Sequence, residues 1–196
     1  SLGFLQIPDN NYYNIVYGFG YAKYIHSCLG INQEYTIFVP NEDSIKVGIL
    51  KLSNNTVERK QIKIIYYINP VLGEDKLKTN ANINLKYDSN LNIIIAENLY
   101  ENTFNDKVYI FSSEKIKSYT GDRKFFLGKG DLKNPDAVKK YKLNNSNSLG
   151  KDSCIAIEIE VELDSMSDKE IVIGIGAEES LLDCRSISYK YSNVQN

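Results

Sequence analysis

Hydrophobic and polar residues alternate along most of this chain, and helical periodicity is scarce. The alternation is clearest at residues 154–163, where aliphatic and acidic side chains take turns: Ile155, Ile157, Ile159, Val161 and Leu163 against Glu158, Glu160 and Glu162. Successive side chains of a strand point to opposite faces of its sheet. The pattern therefore predicts a half-buried strand whose aliphatic residues face a core and whose glutamates face solvent.

The same pattern predicts further strands at 33–39, 44–52, 59–70, 81–87, 92–96, 107–112 and 170–175. Residues 81–87 and 92–96 are predicted to form a hairpin around Asp88-Ser89-Asn90. Residues 154–163 and 170–175 are predicted to form another antiparallel hairpin across 164–169.

Two segments favour helix instead. Asn134 is a suitable N-cap and Pro135 suits the first helical position, so a short helical turn is predicted there. A longer helix is predicted from residue 178 onward. Strands joined by short turns along most of a chain of 196 residues predict an all-β fold of packed antiparallel sheets.

Charge and cysteine usage narrow the range of partners. The formal net charge is −2, so the chain lacks the positive field that a nucleic-acid backbone or an anionic membrane would require. The longest apolar run, residues 171–177, is far shorter than the ~20 residues of a spanning helix. The cysteines are scattered, without Cys-x-x-Cys spacing, which favours a reducing compartment. We therefore expect a soluble, cytoplasmic chain without a metal or another cofactor.

Candidate catalytic groups are few. The single histidine, His26, stands two positions before Cys28, and such neighbours on a strand share a face without opposing each other. A structural role for His26 is favoured over a nucleophilic couple or a zinc site. The glutamates of 154–163 are interpreted as the ordinary outer face of a sheet rather than as a glycosidase pair. The glycine-rich segment 18–21 lacks the residues of a phosphate loop and predicts a tight turn or bulge.

The most distinctive stretch is 118–135, which crowds polar turn residues, charges and aromatic residues between glycines: Ser-Tyr-Thr-Gly-Asp-Arg-Lys-Phe-Phe-Leu-Gly-Lys-Gly-Asp-Leu-Lys-Asn-Pro. Together with the segments 18–21, 30–34, 67–74, 152–156 and 173–176, in this order, it resembles the N-terminal domain of glycoside hydrolase family 94. That family comprises inverting disaccharide phosphorylases and cyclic β-1,2-glucan synthases.

The resemblance implies a β-supersandwich like that of galactose mutarotase, over residues 1–177. It also implies that 178–196 begins a helical linker to an (α/α)6 catalytic barrel, to which nothing in this sequence corresponds. The family's catalytic residues therefore map onto no position, and the chain alone is expected to be inert. The implied partners are the enzyme's own barrel, a second subunit and an oligosaccharide of β-linked glucose.

The resemblance directs attention to the loop after Thr120 as a place for sugar contact. Arginine can hydrogen-bond neighbouring sugar hydroxyls, and aromatic rings can stack on a pyranose. The predicted sugar-binding residues are Tyr119, Asp122, Arg123, Phe125 and Phe126. The alternative is that Asp122 and Arg123 clamp a turn while the phenylalanines fill a core or a subunit interface.

Two other functions remain open from the sequence. A free-standing carbohydrate-binding module would need an exposed aromatic platform, and the chain has 15 tyrosines but no tryptophan. A sandwich-fold enzyme such as a mutarotase would need a histidine and a carboxylate converging in a cleft. Because the chain has a single histidine, this interpretation is less favoured.

Overall fold

The computed structural model describes residues 11–100 and 106–192. Within them the strands, in chain order, are β1 Tyr13–Gly18, β2 Tyr21–Cys28, β3 Ile31–Phe38, β4 Ile45–Asn54, β5 Lys60–Ile68, β6 Ile83–Asp88, β7 Ile93–Asn98, β8 Lys107–Ser112, β9 Ile116–Asp122, β10 Ser153–Leu163 and β11 Asp168–Glu178. The α-helices are α1 Lys76–Thr79, α2 Arg123–Leu127 and α3 Leu181–Ser192, and 3₁₀ turns lie at Asn80–Asn82 and Asp136–Lys139.

The strands form two sheets. The large sheet has eight strands in the order β1-β2-β3-β4-β11-β8-β7-β6, and the small sheet has three in the order β5-β10-β9. Every pairing of neighbouring strands is antiparallel. The predicted all-β antiparallel supersandwich is therefore confirmed.

Most predicted elements are present with small shifts of their ends. The hairpin around residues 88–90 joins β6 to β7, and the glycine-rich segment 18–21 turns β1 into β2 with Gly20 at a φ of 85°. The helical turn after Pro135 is the 3₁₀ turn Asp136–Lys139. The sequence pattern did not predict β1, β9, α1 or α2, and it gave no bounds for β2. Polar turn residues dominate the segment that contains β9 and α2.

The predicted pairing of β10 with β11 is wrong. β10 lies in the small sheet between β5 and β9, whereas β11 lies in the large sheet between β4 and β8. The buried side chain of Asn54 holds the crossing between the sheets, because its Nδ2 donates to the carbonyl of Asp164 at 2.8 Å. The backbone N–H of Asn54 also donates to the backbone carbonyl of Ser167 at 2.9 Å. The connecting residues thus turn away from their own strand and across the core.

The main core lies between the sheets. Alternate residues of β10 face it as predicted, and they pack against aliphatic residues of the central strands of the large sheet; examples are Ile155, Ile157, Ile159, Leu50, Ile94, Ile110 and Ile173. Burial of each large aliphatic side chain contributes about 1.5–3 kcal/mol. The core residues therefore hold the sheets face to face.

The prediction that every glutamate of β10 faces solvent is wrong for Glu158. Its side chain is fully buried, whereas Glu160 and Glu162 are exposed. The cause is a covering layer on the outer face of the small sheet, formed by the chain between residues 123 and 143. Cys154 and Ala156 of β10 lie beneath this layer. Alternation marks the two faces of a strand but does not reveal that a later loop covers one of them.

The other face of the large sheet is covered by α3. Cys184 and Tyr191 of this helix pack with Val47, Tyr109 and Phe111 of the sheet. The predicted boundary at residue 178 falls where β11 ends, and α3 folds back onto the sheet that precedes it. The last part of the predicted linker, 193–196, lies outside the described residues.

Candidate functional site

The predicted sugar-binding loop begins where β9 passes into α2. Asp122 is the N-cap of this short helix, and its Oδ1 accepts a hydrogen bond from the amide of Phe125 at 2.9 Å. The amide of Arg123 donates to the carbonyl of Asp152 at 2.9 Å. An aspartate at this position satisfies an amide that the helix leaves without a partner. Asp122 and Arg123 therefore fix the path of the chain at the end of the small sheet.

Charged side chains from separate segments meet around this cap, and we call them the Asp122 cluster: Asn80, Asp122, Arg123, Lys151 and Asp152. The Nη1 of Arg123 lies 3.2 Å from Oδ2 of Asp152, and the Nζ of Lys151 lies 3.3 Å from Oδ2 of Asp122. The Nδ2 of Asn80 donates to Oδ1 of Asp152 at 2.6 Å. These half-exposed groups offer donors and acceptors side by side, as recognition of sugar hydroxyls requires.

The environment of the cluster shifts several pKa values. Burial works to raise the pKa of Asp152, but hydrogen bonds from Asn80 and Arg123 outweigh it and lower this pKa. Burial raises the pKa of Tyr67, against the effect of the nearby guanidinium. Among the described residues, neither the Tyr67 hydroxyl nor Nε of Arg123 has a partner with good hydrogen-bond geometry, yet the hydroxyl is near enough to raise the pKa of Arg123. Arg123 is therefore a permanent cation at this edge of the sheet.

The thiol near the cluster, that of Cys154, is not an activated nucleophile. Burial, with a smaller contribution from the charge of Asp122, raises the pKa of Cys154 to about 12. The thiolate is the nucleophilic form of cysteine, so Cys154 is unreactive at neutral pH. The cluster can bind and orient a polar ligand, but its own groups are not arranged for covalent catalysis.

The predicted phenylalanines pack on the outer face of the small sheet. Phe126 is buried, and its ring stacks on that of Tyr67 with centroids 4.7 Å apart. Phe125 is half-buried, and the Nζ of Lys140 lies 3.8 Å from the centroid of its ring. Both rings join Ala137 and Leu143 in the apolar cluster beneath the covering layer.

Tyr119 lies on the opposite face of the small sheet. It packs against the core between the sheets, where its ring centroid is 5.5 Å from that of Tyr87. The structure therefore brings Asp122 and Arg123 together at the sheet end, buries Phe126 beside them and separates Tyr119 from all three. Sugar contact by these residues stays a prediction.

His26 does not form the core of a second site. It is buried on β2, and its ring stacks on that of Tyr13 at a centroid distance of 4.1 Å. In residues 11–100 and 106–192, acidic, histidine and cysteine side chains do not group in threes as a metal ion would require. Within the same ranges, none of the helices combines the length and apolar character needed to cross a bilayer.

Sequence reasoning missed several members of the site. Asn80, Lys151, Asp152 and Tyr67 come from segments far from Asp122 in the chain. Asp152 did occur in a stretch that supported the resemblance, but nothing in its neighbours signals an ion pair with Arg123. Only the pairing of β9 with β10, which sets Asp122 opposite Ser153, brings Asp152 to the cap.

The two packed antiparallel sheets, with α3 on the outer face of the large one, define a β-supersandwich. The sequence model of the family "Glycosyl hydrolase 94, supersandwich domain" matches residues 1–194. The chain belongs to this family, as the segments quoted above predicted.

Two curated relatives come from the same group of enzymes. The chain is 22% identical over 163 residues to cyclic β-(1,2)-glucan synthase NdvB of Rhizobium meliloti (strain 1021), a match that covers 82% of this chain and 6% of the synthase. It is 25% identical over 181 residues to N,N'-diacetylchitobiose phosphorylase of Vibrio furnissii, covering 86% of this chain and 22% of the phosphorylase. The chain thus spans a minor part of each relative.

Solved structures share the fold. A bacterial glucoamylase complexed with acarbose matches with a TM-score of 0.59 and 12% identity, covering 94% of this chain and 26% of that protein. A polysaccharide lyase matches with a TM-score of 0.54 and 12% identity, covering 92% of this chain and 27% of that protein. At such identities the likeness extends to the fold alone.

Proposed function

We propose that this chain is the non-catalytic N-terminal domain of a family 94 enzyme, a phosphorylase or glucan synthase acting on β-glucosides. The observation that carries the proposal is the family match over residues 1–194. The small share of each curated relative that the chain spans, 6% and 22%, supports a role alongside a larger catalytic part. In this role the domain positions a catalytic barrel, supports a homodimer and works in the cytoplasm.

The Asp122 cluster is the proposed sugar contact of this domain. Its guanidinium, ammonium, amide and carboxylate groups are half-exposed and already oriented by one another. Fixed donors and acceptors lose little conformational freedom when they bind a hydroxyl-rich ligand. In the assembled enzyme, this edge of the small sheet would face one end of an oligosaccharide held in the catalytic cleft.

The decisive experiment uses the complete enzyme encoded by the parent reading frame. The region after Asn196 is expected to encode a helical barrel, and the 196-residue chain alone is expected to show no phosphorolysis or transglycosylation. In the complete enzyme, Arg123→Gln should raise KM for the oligosaccharide severalfold while leaving kcat within about twofold. Arg185→Gln is the matched control, because Arg185 is exposed on α3 and lies outside both the cluster and the small sheet.

Three outcomes would contradict the proposal. One is a reading frame that encodes no helical region after Asn196, and another is activity of the isolated chain. The third concerns the cluster alone: if Arg123→Gln lowers the melting temperature but leaves KM unchanged, the cluster clamps the turn and does not touch sugar.

A further inference from the structure

The outer face of the small sheet continues beyond the covering layer as an open groove. Its polar lining comes from all three strands of the sheet and from the loop that crosses it: Gln61, Lys63, Lys117, Tyr141, Glu160 and Glu162. Its volume is about 600 Å³, which lies in the range of small-ligand sites. The groove is separated from the Asp122 cluster by the apolar residues beneath the covering layer.

Tyr141 is held in place although it is 79% exposed. The Nζ of Lys63 donates to the carbonyl oxygens of Lys140 at 2.6 Å and Tyr141 at 3.1 Å, which fixes the backbone above the sheet. The Nζ of Lys117 lies over the ring, 4.8 Å from its centroid. A ring that is exposed yet restrained at its backbone and by a cation can stack on a ligand at a low entropic cost.

Lys63 is itself fixed from below. Its Nζ lies 3.4 Å from Oε2 of Glu158, whose carboxylate is fully buried. Among the described residues, neither oxygen of Glu158 has a partner with hydrogen-bond geometry, so the charge of Lys63 compensates this carboxylate as an ion pair. Removing Lys63 from this position would leave a buried charge uncompensated, which is costly. Lys63, which holds the backbone of Tyr141, is therefore itself fixed by its ion pair with Glu158.

The charges of the groove are balanced. Lys117 pairs with Glu160, and Arg59 at the end of the groove pairs with Glu162. The Nε2 of Gln61 donates to Oε1 of Glu162 at 3.2 Å, so an amide lies between the acidic side chains. A phosphate or a polyanion would meet carboxylates here, and a cationic ligand would meet ammonium groups. The lining suits a neutral ligand that both donates and accepts hydrogen bonds.

We propose that this groove binds a neutral oligosaccharide, with one sugar ring stacked on Tyr141 and its hydroxyls bonded to Gln61, Lys117 and Glu160. This site is separate from the Asp122 cluster and requires no catalytic barrel. It would hold a chain of sugars against the outside of the domain while another part of the polymer is processed elsewhere.

The test is a titration of the 196-residue chain with short β-1,2-linked and β-1,4-linked glucose oligosaccharides. Heteronuclear NMR spectra recorded at each step monitor the backbone amides. Saturable shifts are expected at the amides of Gln61, Lys63 and Tyr141. Tyr141→Ala should weaken binding about five- to tenfold, whereas Tyr141→Phe should keep it within about twofold. Tyr17→Ala is the matched control, because Tyr17 is a similarly exposed tyrosine on the large sheet.

Each alternative outcome identifies which proposal fails. Shifts at Asp122 and Arg123 without shifts in the groove would overturn the groove site while supporting the Asp122 cluster. Tight binding of a heparin-derived oligosaccharide, lost in added salt, would overturn the neutral ligand class. Binding unchanged by Tyr141→Ala would overturn the stacking role, and the absence of any shift with either glucan would overturn the site as a whole. A catalytically active complete enzyme would leave these conclusions unaffected.

Discussion

The covered and the open parts of the large sheet differ in how much of their side-chain surface is buried. The central strands β4, β11, β8 and β7 carry the small sheet on one face and α3 on the other. The hairpin of β1 and β2, at the far edge, has mostly exposed or half-exposed side chains. Neighbouring strands pair antiparallel in both parts, but only the covered part has a core. The stability of the domain should therefore depend on coverage more than on strand pairing.

The largest difference is expected between isoleucines of the two parts. Ile157→Ala, at a fully buried position in the core between the sheets, should lower the free energy of unfolding by about 4 kcal/mol. Ile15→Ala, on β1, should lower it by less than about 1 kcal/mol because its side chain is already 39% exposed. Urea denaturation of both variants measures the contrast. Equal losses would mean that the hairpin is as cooperative a part of the domain as the core.

A smaller contrast is expected between the covered and open ends of β10. Lys63→Met leaves the buried carboxylate of Glu158 uncompensated and should cost about 2–3 kcal/mol. Arg59→Met, which breaks the exposed pair with Glu162, should cost about 1 kcal/mol or less. The double variant Lys63→Met/Glu158→Met should recover most of the stability. Failure of the double variant to recover it would show that Lys63 matters for the chain path above it rather than for charge.

The start of the covering layer offers a third comparison. Asp122→Ala removes the acceptor for the amide of Phe125 and should lower the free energy of unfolding by about 1 kcal/mol. Asp122→Asn keeps an acceptor oxygen and should cost clearly less. Chemical denaturation of both variants measures these losses and distinguishes the contribution of the capping hydrogen bond from that of the ion pair with Lys151. A larger loss in Asp122→Asn than in Asp122→Ala would contradict the capping role.

The smallest expected effect is a local dependence on pH at the other cover, α3. Hydrogen bonds from Lys190 and Tyr191 of this helix lower the pKa of Asp43 below its usual value. A lowered folded-state pKa stabilises the fold above the unfolded-state pKa, and this contribution is lost as pH falls through the folded value. The protection factors of the α3 amides, which are exchange rates corrected for the intrinsic dependence of exchange on pH, should therefore fall on acidification below the usual aspartate range. Asp43→Asn should show smaller protection factors at neutral pH, and these should depend less on pH.

The sequence predicts most of the strands, because alternation within a strand shows which of its residues lie on each face of the sheet. Alternation at Ile155, Ile157 and Ile159 identifies β10 and its core face without knowledge of any partner. What it cannot predict is which segment lies over the other face. Glu158 and Glu160 look equivalent in sequence, yet the covering layer buries the first and leaves the second open.

Less of the candidate site could be predicted, because most of its residues come from segments that are distant in sequence. Asp122 followed by a short run of helix-forming residues contains a local capping signal. Its partners Lys151 and Asp152 are brought in by strand pairing over a long loop, which leaves no local trace. The crossing of β10 to β11 was missed because the short segment between them resembles a hairpin turn, whereas Asn54, far away in sequence, determines its course.

The position of β11 has a consequence for how the domain assembles. It is the last strand in chain order among the described residues, yet it joins β4 on one side and β8 on the other, with Asp168 opposite Ser53 and Glu178 opposite Lys107. Until it inserts, β1–β4 and β6–β8 are separate halves with unprotected edges. Contacts so distant along the chain form slowly, because closing the long intervening loops costs entropy before the pairing stabilises them. Refolding of this domain should accordingly be limited by insertion of its final strand, and aggregation should be greatest in the interval before that step.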